Sequence, residues 1–275
     1  MGVMFLSKRI HRVLIGAVSV VCSLAILSEF AYLPANADEE IVVDMVAHRG
    51  YSAQYPENTL SAFEGARAAG AKTIEFDVRK SADGQLVISH DDTLVKASGD
   101  ETPIAELNYS DLAQIDVGSW FGTEFAGEQL PTLDMTLRFL CRNPGLKAFV
   151  ELKDVGEDPD FAAEVYNKCS EYGVLNRVIF ISFNYNYLMQ IKELNPSQPI
   201  MVLASFGKSN LPQVKPAEYY GINMKTITPQ TIAAIHAAGS KVYVYPPLTR
   251  GQVLSLQRLG IDGVISDVAD KEVLQ

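Results

Sequence analysis

The chain has 275 residues, of which 33 are acidic and 23 are basic, giving a formal net charge of −10. A charged fraction of 20% is too high for an integral membrane protein and too low for a disordered one. The acidic balance, with no basic cluster, argues against a surface built for nucleic acid or anionic lipid. The length permits two small domains or one α/β barrel, and the lack of an internal repeat or linker favours a single domain.

Residues 1–37 differ in kind from the remainder. Basic residues lie within 8–12, an apolar run occupies 13–27, and small residues at 35–37 precede an acidic stretch. This order is typical of a secretory signal peptide and predicts an exported protein, whether secreted, periplasmic or held at the cell surface. The alternative is an uncleaved membrane anchor, and membrane association is then expected only through this segment. Residues 38–275 are expected to form the barrel domain.

Two cysteines remain beyond this segment, Cys141 and Cys169, both in predicted helices. An oxidising compartment permits a disulfide between them. Two separate buried thiols fit the sequence at least as well, because spacing does not reveal the distance between Cα atoms. The sequence carries no signal for the oligomeric state.

Short runs rich in β-forming residues alternate with helical patterns from Met45 onward. Several of the helical patterns end at a glycine that is followed by a strand, as in a parallel α/β protein. Alternation of buried strands and helices predicts a barrel or a doubly wound sheet. The candidate strands are 45–49, 73–78, 86–89, 147–152, 177–182, 199–204, 219–224, 241–245 and 263–266. The candidate helices are 59–69, 132–141, 160–172, 184–194, 228–238 and 250–258.

Nine strands are one too many for an eight-stranded barrel. The turn containing Asp83-Gly84 is too short for a helical crossover, so 73–79 and 85–90 are expected to form a hairpin at the mouth of the barrel. Residues 91–131 then read as a poorly periodic insertion. Its aromatic residues are expected by default to pack beneath it, and the alternatives are that they form a wall of the pocket at the barrel mouth or contact lipid. They are Trp120, Phe121 and Phe125.

Acidic side chains lie at the ends of two predicted strands. Glu75 and Asp77 are two residues apart and therefore point to the same side, and Glu151 ends a later strand. Because the carboxyl ends of barrel strands meet at one rim, the three should converge. Three carboxylates without a clustered thiol suit Ca²⁺ or Mg²⁺, and also Mn²⁺, better than Zn²⁺. The alternative is that they pair with Arg49 and Lys153 without a metal.

Two histidines accompany these carboxylates. His48 ends the first strand, and the hairpin returns His90 to the same rim. Near a hard cation, a pair of histidines suits base and acid catalysis of displacement at phosphorus. Arg49 and Lys153 offer cationic donors to phosphate oxygens. His236, on a helix of small residues, is predicted to be structural.

A set of short motifs, in order, resembles the glycerophosphodiester phosphodiesterase family from residue 45 to about residue 270. The resemblance depends on their order rather than on any one fragment. The motifs are Ala47-His48-Arg49-Gly50, the segment 56–63 (PENTLSAF), Glu75-Phe76-Asp77-Val78, Asp83-Gly84, Ser89-His90-Asp91, Gly118-Ser119-Trp120-Phe121, Pro131-Thr132-Leu133, Glu151-Leu152-Lys153, Ser182-Phe183 and the segment 260–267 (GIDGVISD).

The resemblance implies a TIM barrel that hydrolyses small glycerophosphodiesters to sn-glycerol 3-phosphate and an alcohol such as choline or ethanolamine. It implies attack on phosphorus by the substrate's own glycerol hydroxyl, followed by opening of the cyclic phosphate by water. The implied roles are a divalent cation on Glu75, Asp77 and Glu151, His48 and His90 as the base and acid pair, and phosphate contact through Arg49 and Lys153. The resemblance leaves open which histidine is the base, and we assign His48 as base and His90 as acid.

One segment departs from the family pattern. The family commonly has an aromatic residue and a short polar stretch after the late strand, where this chain reads Tyr245-Pro246-Pro247. Tyr245 is expected to replace the aromatic wall of the glycerol site, while the prolines remove backbone donors. Two alternatives therefore stay open: a lipid phosphodiesterase acting on lysophospholipids, and a non-catalytic binding module. Asn58 is predicted to cap the first helix.

Overall fold

The computed structural model describes residues 39–204 and 215–269. In these ranges β1 pairs in parallel with both β2 and β9, so eight parallel strands close into a barrel and a ninth, β3, lies outside it. The predicted TIM barrel is confirmed, and the predicted signal segment 1–37 lies outside the described residues. The strands are β1 (Asp44–Ala47), β2 (Thr73–Lys80), β3 (Leu86–Ile88), β4 (Lys147–Leu152), β5 (Val178–Ser182), β6 (Ile200–Ala204), β7 (Tyr219–Asn223), β8 (Lys241–Tyr245) and β9 (Gly263–Ser266).

Helices connect the strands, and each of the six predicted helices is found within one residue of its expected bounds. Four of them start at a threonine whose side chain accepts a hydrogen bond from a backbone N–H of the first turn. In the described part of the chain, none is both long and apolar enough to cross a membrane. The helices are α1 (Leu60–Ala68), α2 (Val95–Ser98), α3 (Tyr109–Leu112), α4 (Leu133–Arg142), α5 (Phe161–Glu171), α6 (Tyr185–Leu194), α7 (Pro229–Ala237) and α8 (Arg250–Arg258).

The barrel interior is a packed apolar core. Large side chains from six of the eight barrel strands fill it, and a second, larger cluster lies between the strands and the surrounding helices. Because the interior is filled, chemistry is confined to the rims. The interior side chains are Val46, Phe149, Ile181, Met201, Leu203, Tyr243 and Ile265.

The extra strand forms the predicted hairpin. β2 and β3 are antiparallel, with Val78 opposite Ile88, and Gly84 at their turn has a φ of 83°. Residues 91–131 contain α2, α3 and short 3₁₀ turns. A small apolar cluster, which includes Ile104 and Leu112, supports this insertion.

Candidate active site

Three carboxylates converge at the carboxyl end of the barrel. Glu75 and Asp77 lie on β2, and the parallel register places Asp77 opposite Glu151 on β4. One oxygen from each carboxylate lies within 4.8 Å of the other two. Their side chains are buried, with 1%, 1% and 7% exposure in that order. The three acids that were predicted from the sequence to converge therefore lie together in the structure.

One oxygen of each carboxylate accepts a hydrogen bond that holds the side chain in place. The backbone N–H of Arg49 donates to Glu75 Oε2 at 2.8 Å. Asn58 Nδ2 donates to Asp77 Oδ2 at 2.7 Å, and Lys153 Nζ donates to Glu151 Oε1 at 2.8 Å. Among the described residues, Glu75 Oε1 and Asp77 Oδ1 are buried oxygens without a hydrogen-bond partner. Buried acceptors of this kind are rare without a ligand.

Burial and mutual repulsion shift the ionisation of this group. Burial, with the charges of Asp77 and Glu151, holds the pKa of Glu75 well above its usual value. Burial and Asp77 together raise the pKa of Glu151 to about 7. Burial also opposes ionisation of Asp77, but the positive charges of Arg49 and Lys153 outweigh it and lower its pKa. Without a cation the cluster therefore favours the protonated form of Glu75, and a bound cation would relieve the repulsion among the three carboxylates.

The donor set fits a hard divalent cation. The three acids supply only oxygen, and two of those oxygens are buried and unbonded. The salt-bridge alternative is also visible, because Arg49 Nε and Lys153 Nζ each lie 3.6 Å from an oxygen of Asp77. When all three carboxylates are ionised, these two cations balance only two of the three negative charges. The group can bind a metal ion, and its geometry does not select which one.

His48 is held by an acid from the other end of the chain. Its Nδ1 lies 2.5 Å from Asp267 Oδ1, and its backbone N–H donates to the carbonyl of Ser266 at 2.9 Å. Ser52 Oγ donates to the His48 carbonyl at 2.8 Å. With Nδ1 engaged, Nε2 is the ring nitrogen left for chemistry. Asp267 lies in one of the motifs that carry the family resemblance, but its contact with His48 was not predicted from the sequence.

His90 is held by its sequence neighbour. Its Nδ1 lies 2.8 Å from Asp91 Oδ1. Arg79 binds the His90 carbonyl through Nε at 3.1 Å and Nη2 at 2.7 Å, which fixes the chain at the end of the hairpin. Burial, with the positive charges of Arg49 and Lys153, lowers the pKa of His90 against the opposing charge of Asp77. Arg79 and Asp91 were not expected from the sequence to belong to the site.

A pocket of about 230 Å³ joins these groups, and it lies over the filled barrel core. Both histidines, two of the acids and both cationic residues line it together with apolar side chains. The pocket therefore combines acid, base and cationic groups around one small volume. Its lining residues are His48, Arg49, Glu75, His90, Glu151, Lys153, Ile181, Phe183, Leu203, Asn223, Tyr245, Pro246 and Ile265.

Tyr245 forms part of the apolar wall, where the sequence predicted an aromatic residue. Its ring lies 6.4 Å from that of Phe183 at an interplanar angle of 89°. Burial raises the pKa of the Tyr245 phenol to about 12, so the hydroxyl stays protonated at neutral pH. The following prolines are tied down, since Ser266 Oγ donates to the Pro247 carbonyl at 2.6 Å.

The turn after β1 is closely packed against α1. Arg49 and Gly50 have positive φ angles of 55° and 82°. A Cβ atom on residue 50 would lie 2.6 Å from the carbonyl carbon of Ala62, so only glycine fits there. This contact fixes the positions of His48 and Arg49. The side chain of Arg49 also binds Glu57 Oε2 through Nη1 at 3.1 Å.

The prediction that Asn58 caps the first helix is wrong. Thr59 is the cap, and its hydroxyl accepts a hydrogen bond from the Ala62 N–H at 3.2 Å. Asn58 has a φ of 60° and turns its side chain to Asp77, where it donates through Nδ2 and accepts from the Asp77 backbone N–H at 3.3 Å. It is a support for the acidic cluster.

Two other expectations need correction. Trp120 is 41% exposed and lines a pocket beside His90, whereas the default expectation placed it beneath the insertion. Cys141 and Cys169 are free thiols, and only Cys169 is buried. The exposed Cys141 Sγ donates to the carbonyl of Tyr172 at 3.5 Å.

Comparison with known proteins shows a family match over residues 48–271, to the model described as the glycerophosphoryl diester phosphodiesterase family. A glycerophosphodiester phosphodiesterase of Caldanaerobacter subterraneus subsp. tengcongensis is 30% identical over 242 residues, covering 84% of this chain and 95% of the relative.

Solved structures agree with the family match. A glycerophosphodiester phosphodiesterase from Agrobacterium tumefaciens is 28% identical with a TM-score of 0.70, covering 83% of this chain and 98% of that one. A phosphodiesterase from Oleispira antarctica, solved in complex with the product sn-glycerol-3-phosphate, is 29% identical with a TM-score of 0.76, covering 84% and 96%. The resemblance that was read from the motifs is thereby confirmed, and the chain belongs to the glycerophosphoryl diester phosphodiesterase family of enzymes.

Proposed function

We propose that this enzyme hydrolyses glycerophosphodiesters to sn-glycerol 3-phosphate and an alcohol, with one divalent cation and two catalytic histidines. The observation that carries the proposal is the pocket in which His48 and His90 meet the carboxylates of Glu75 and Glu151. The sn-glycerol-3-phosphate bound to the Oleispira antarctica relative supports the choice of product.

Glu75, Asp77 and Glu151 are the residues that would hold the cation. Their oxygen-only donor set favours Ca²⁺, Mg²⁺ or Mn²⁺. When bound, the ion would supply positive charge that stabilises the negative charge developing on the phosphoryl oxygens. The chain as a whole carries a net charge of −10, so an anionic substrate needs such a local positive centre.

His48 acts as the base in this proposal. With Nδ1 bonded to Asp267, its Nε2 accepts the proton of the glycerol 2-hydroxyl. That oxygen forms a bond to phosphorus, and the bond from phosphorus to the alcohol oxygen breaks. The products of this step are a cyclic glycerol phosphate and the alcohol. Water then adds to phosphorus, and the bond from phosphorus to the glycerol 2-oxygen breaks. That oxygen takes the proton back from His48, which gives sn-glycerol 3-phosphate.

His90 acts as the acid that gives a proton to the departing alcohol oxygen, and then removes a proton from the attacking water. Burial lowers the pKa of His90 in the free enzyme. The bound phosphodiester brings a negative charge that favours the protonated ring. Arg49 and Lys153, which line the same pocket, are placed to bind the non-bridging phosphate oxygens.

The test is release of sn-glycerol 3-phosphate from glycerophosphocholine and glycerophosphoglycerol by the purified protein. EDTA treatment should abolish turnover, and adding back Ca²⁺, Mg²⁺ or Mn²⁺ one at a time should restore it and identify the preferred ion. Turnover that is unaffected by EDTA, with metal analysis showing a metal-free protein, would contradict the metal-dependent mechanism.

Lysophospholipids are the second candidate substrates. The apolar wall of the pocket reaches Phe183, whose side chain is 55% exposed and available to an acyl chain. Assaying long-chain lysophospholipids in parallel separates the two candidates, since a lipid phosphodiesterase would prefer them by kcat/KM. Absence of turnover on both classes, with metal verified in the site, would indicate a non-catalytic binding module.

Export is proposed on the pattern of residues 1–37. The expected outcome is a protein recovered outside the cytoplasm whose N-terminus, determined by sequencing, begins near residue 38. Recovery from the membrane fraction with residues 1–37 still attached would support the anchor alternative. Recovery from the cytoplasm would contradict both.

A further inference from the structure

A lysine ammonium lies between two carboxylates and an indole ring on the insertion side of the site. Lys96 Nζ is 3.0 Å from Glu57 Oε1 and 3.9 Å from Asp91 Oδ2. It lies 5.3 Å from the centroid of the Trp120 ring. Carboxylates combined with an aromatic face are the groups with which proteins bind ammonium ligands. We call Glu57, Asp91 and Trp120 the cation cage.

The cation cage adjoins the catalytic groups. All three of its members line a single pocket together with His90, and His90 also lines the pocket that holds the carboxylates. Glu57 also links the cation cage to the catalytic pocket, because it binds both Lys96 and Arg49. The cage therefore lies beside the histidine that is proposed to protonate the departing alcohol.

We infer that Lys96 determines which alcohols the enzyme accepts, by filling the position where a cationic head group would bind. Substrates whose alcohol carries an ammonium group, such as glycerophosphocholine, are then disfavoured. Neutral or anionic alcohols, such as that of glycerophosphoglycerol, are favoured. The inference rests on the proposed function, because it needs the alcohol to leave on the His90 side.

Electrostatics gives the direction of the preference. With Lys96 in place, its charge offsets that of Glu57 and Asp91 and occupies the face of Trp120. An incoming trimethylammonium group meets a like charge and finds no free aromatic face. Hydroxyl groups of a glycerol alcohol can accept from the ammonium and donate to the carboxylates. Removing Lys96 would leave two acids and an indole, which is a favourable environment for choline.

The experiment compares kcat/KM for glycerophosphocholine and glycerophosphoglycerol in the metal-loaded, full-length protein. Lys96→Ala should shift the ratio towards the choline substrate by roughly three- to tenfold, the range expected for a partly exposed cation–aromatic contact. Lys96→Arg keeps the charge and should leave the ratio near that of the wild type. Lys72→Ala makes the same change in net charge just before β2, at the opposite end of the barrel, and should also leave it unchanged.

A second variant tests the cage itself. Adding Trp120→Leu to Lys96→Ala should remove most of the gained preference for choline, with circular dichroism confirming the fold. An unchanged ratio in Lys96→Ala would overturn the inference, and so would an equal shift in Lys72→Ala, which would indicate a general charge effect. If the wild type hydrolyses both substrates while these ratios stay constant, only the inference about Lys96 fails. If it hydrolyses neither, the proposed function fails with it.

Discussion

Histidine–aspartate pairs lie at both ends of this barrel, and one pair from each end can be compared. At the carboxyl end, His48 Nδ1 is 2.5 Å from Asp267 Oδ1. At the amino end, His236 Nε2 is 2.9 Å from Asp262 Oδ2, just before β9. Their side chains differ in exposure, with His48 at 16% and His236 at 40%. The contacts are alike, so the pairing by itself does not distinguish the proposed catalytic His48 from His236, which is predicted to be structural.

The surroundings separate the two pairs. His48 lines a pocket with buried carboxylates, whereas Asp262 uses the same Oδ2 atom to accept from the backbone N–H of Val242 at 2.8 Å. The amino-end pair thus joins α7 to strands β8 and β9. In TIM barrels the carboxyl end carries chemistry and the amino end carries stability. In the proposed mechanism, position on the barrel, more than residue type, therefore assigns the role.

The largest expected effect is loss of turnover when a carboxyl-end histidine is replaced. His48→Ala or His90→Ala should lower kcat by about 10²- to 10⁴-fold, because each removes a proton-transfer group. His236→Ala is the matched control and should keep kcat within about twofold. Steady-state kinetics and thermal unfolding would check both. Near-native turnover in either catalytic variant would refute the acid–base assignment.

The aspartates should divide in the same way. Asp267→Asn should lower kcat by roughly 10²-fold, since His48 loses the carboxylate that orients its ring. Asp262→Asn should leave kcat unchanged and lower the free energy of unfolding by about 1 kcal/mol through its weakened hydrogen bonds. Kinetics combined with urea unfolding measures both quantities. Equal effects of the two changes on kcat would contradict the assignment of catalysis to the carboxyl end of the barrel and of stability to the amino end.

Replacement of one acid in the cluster should weaken metal binding. Glu75→Gln removes a charged ligand and should lower the affinity for the divalent ion by about 10- to 100-fold, as measured by calorimetry. The metal-free variant should be at least as stable as the metal-free wild type, because like charges no longer repel. Glu171→Gln on α5, whose side chain is 63% exposed, is the control. Unaltered affinity in Glu75→Gln would place the ion elsewhere.

The smallest effect is expected for a buried tyrosine at the amino end. Tyr243 Oη is 2.8 Å from Asp44 Oδ2, and Tyr243→Phe removes that hydrogen bond. The free energy of unfolding should fall by about 1 kcal/mol, with kcat/KM unchanged. Urea unfolding measures the first quantity and kinetics the second. A large loss of activity would mean that the amino end contributes to the reaction.

Local periodicity was sufficient to predict most of the strands and helices, whereas the choice of a TIM barrel over a doubly wound sheet came from the family resemblance. The two-residue spacing of Glu75 and Asp77 placed both carboxylates on one face of β2. The Asp83-Gly84 turn gave the hairpin that returns His90 to the rim. These features depend on neighbours in sequence, which is why their positions could be read without coordinates. The metal-binding role of Glu75 and Asp77 and the catalytic role of His90 stay predictions.

Other parts of the site depend on contacts that sequence spacing does not encode. Asp267 lies 219 residues from His48, and only closure of the barrel between β1 and β9 brings them together. Asn58 and Thr59 are both good capping residues, and the positive φ of Asn58 decides between them. Asp267 directly follows β9, and this position at the carboxyl end of a strand could have indicated that it belongs to the site. No feature of the sequence indicated in the same way that Trp120 would be exposed.

The glycine turn after β1 limits how such an enzyme can acquire new substrates. Because a side chain at Gly50 would collide with α1, the turn that carries His48 and Arg49 packs too closely against that helix to accept a larger residue. Enlarging the pocket from that side would also displace Glu75, which is bonded to the same turn. Diversification is therefore easiest in the insertion, residues 91–131, which shares no backbone with the acids. Laboratory evolution for new leaving groups should accumulate its changes there while the ester-cleaving half stays constant.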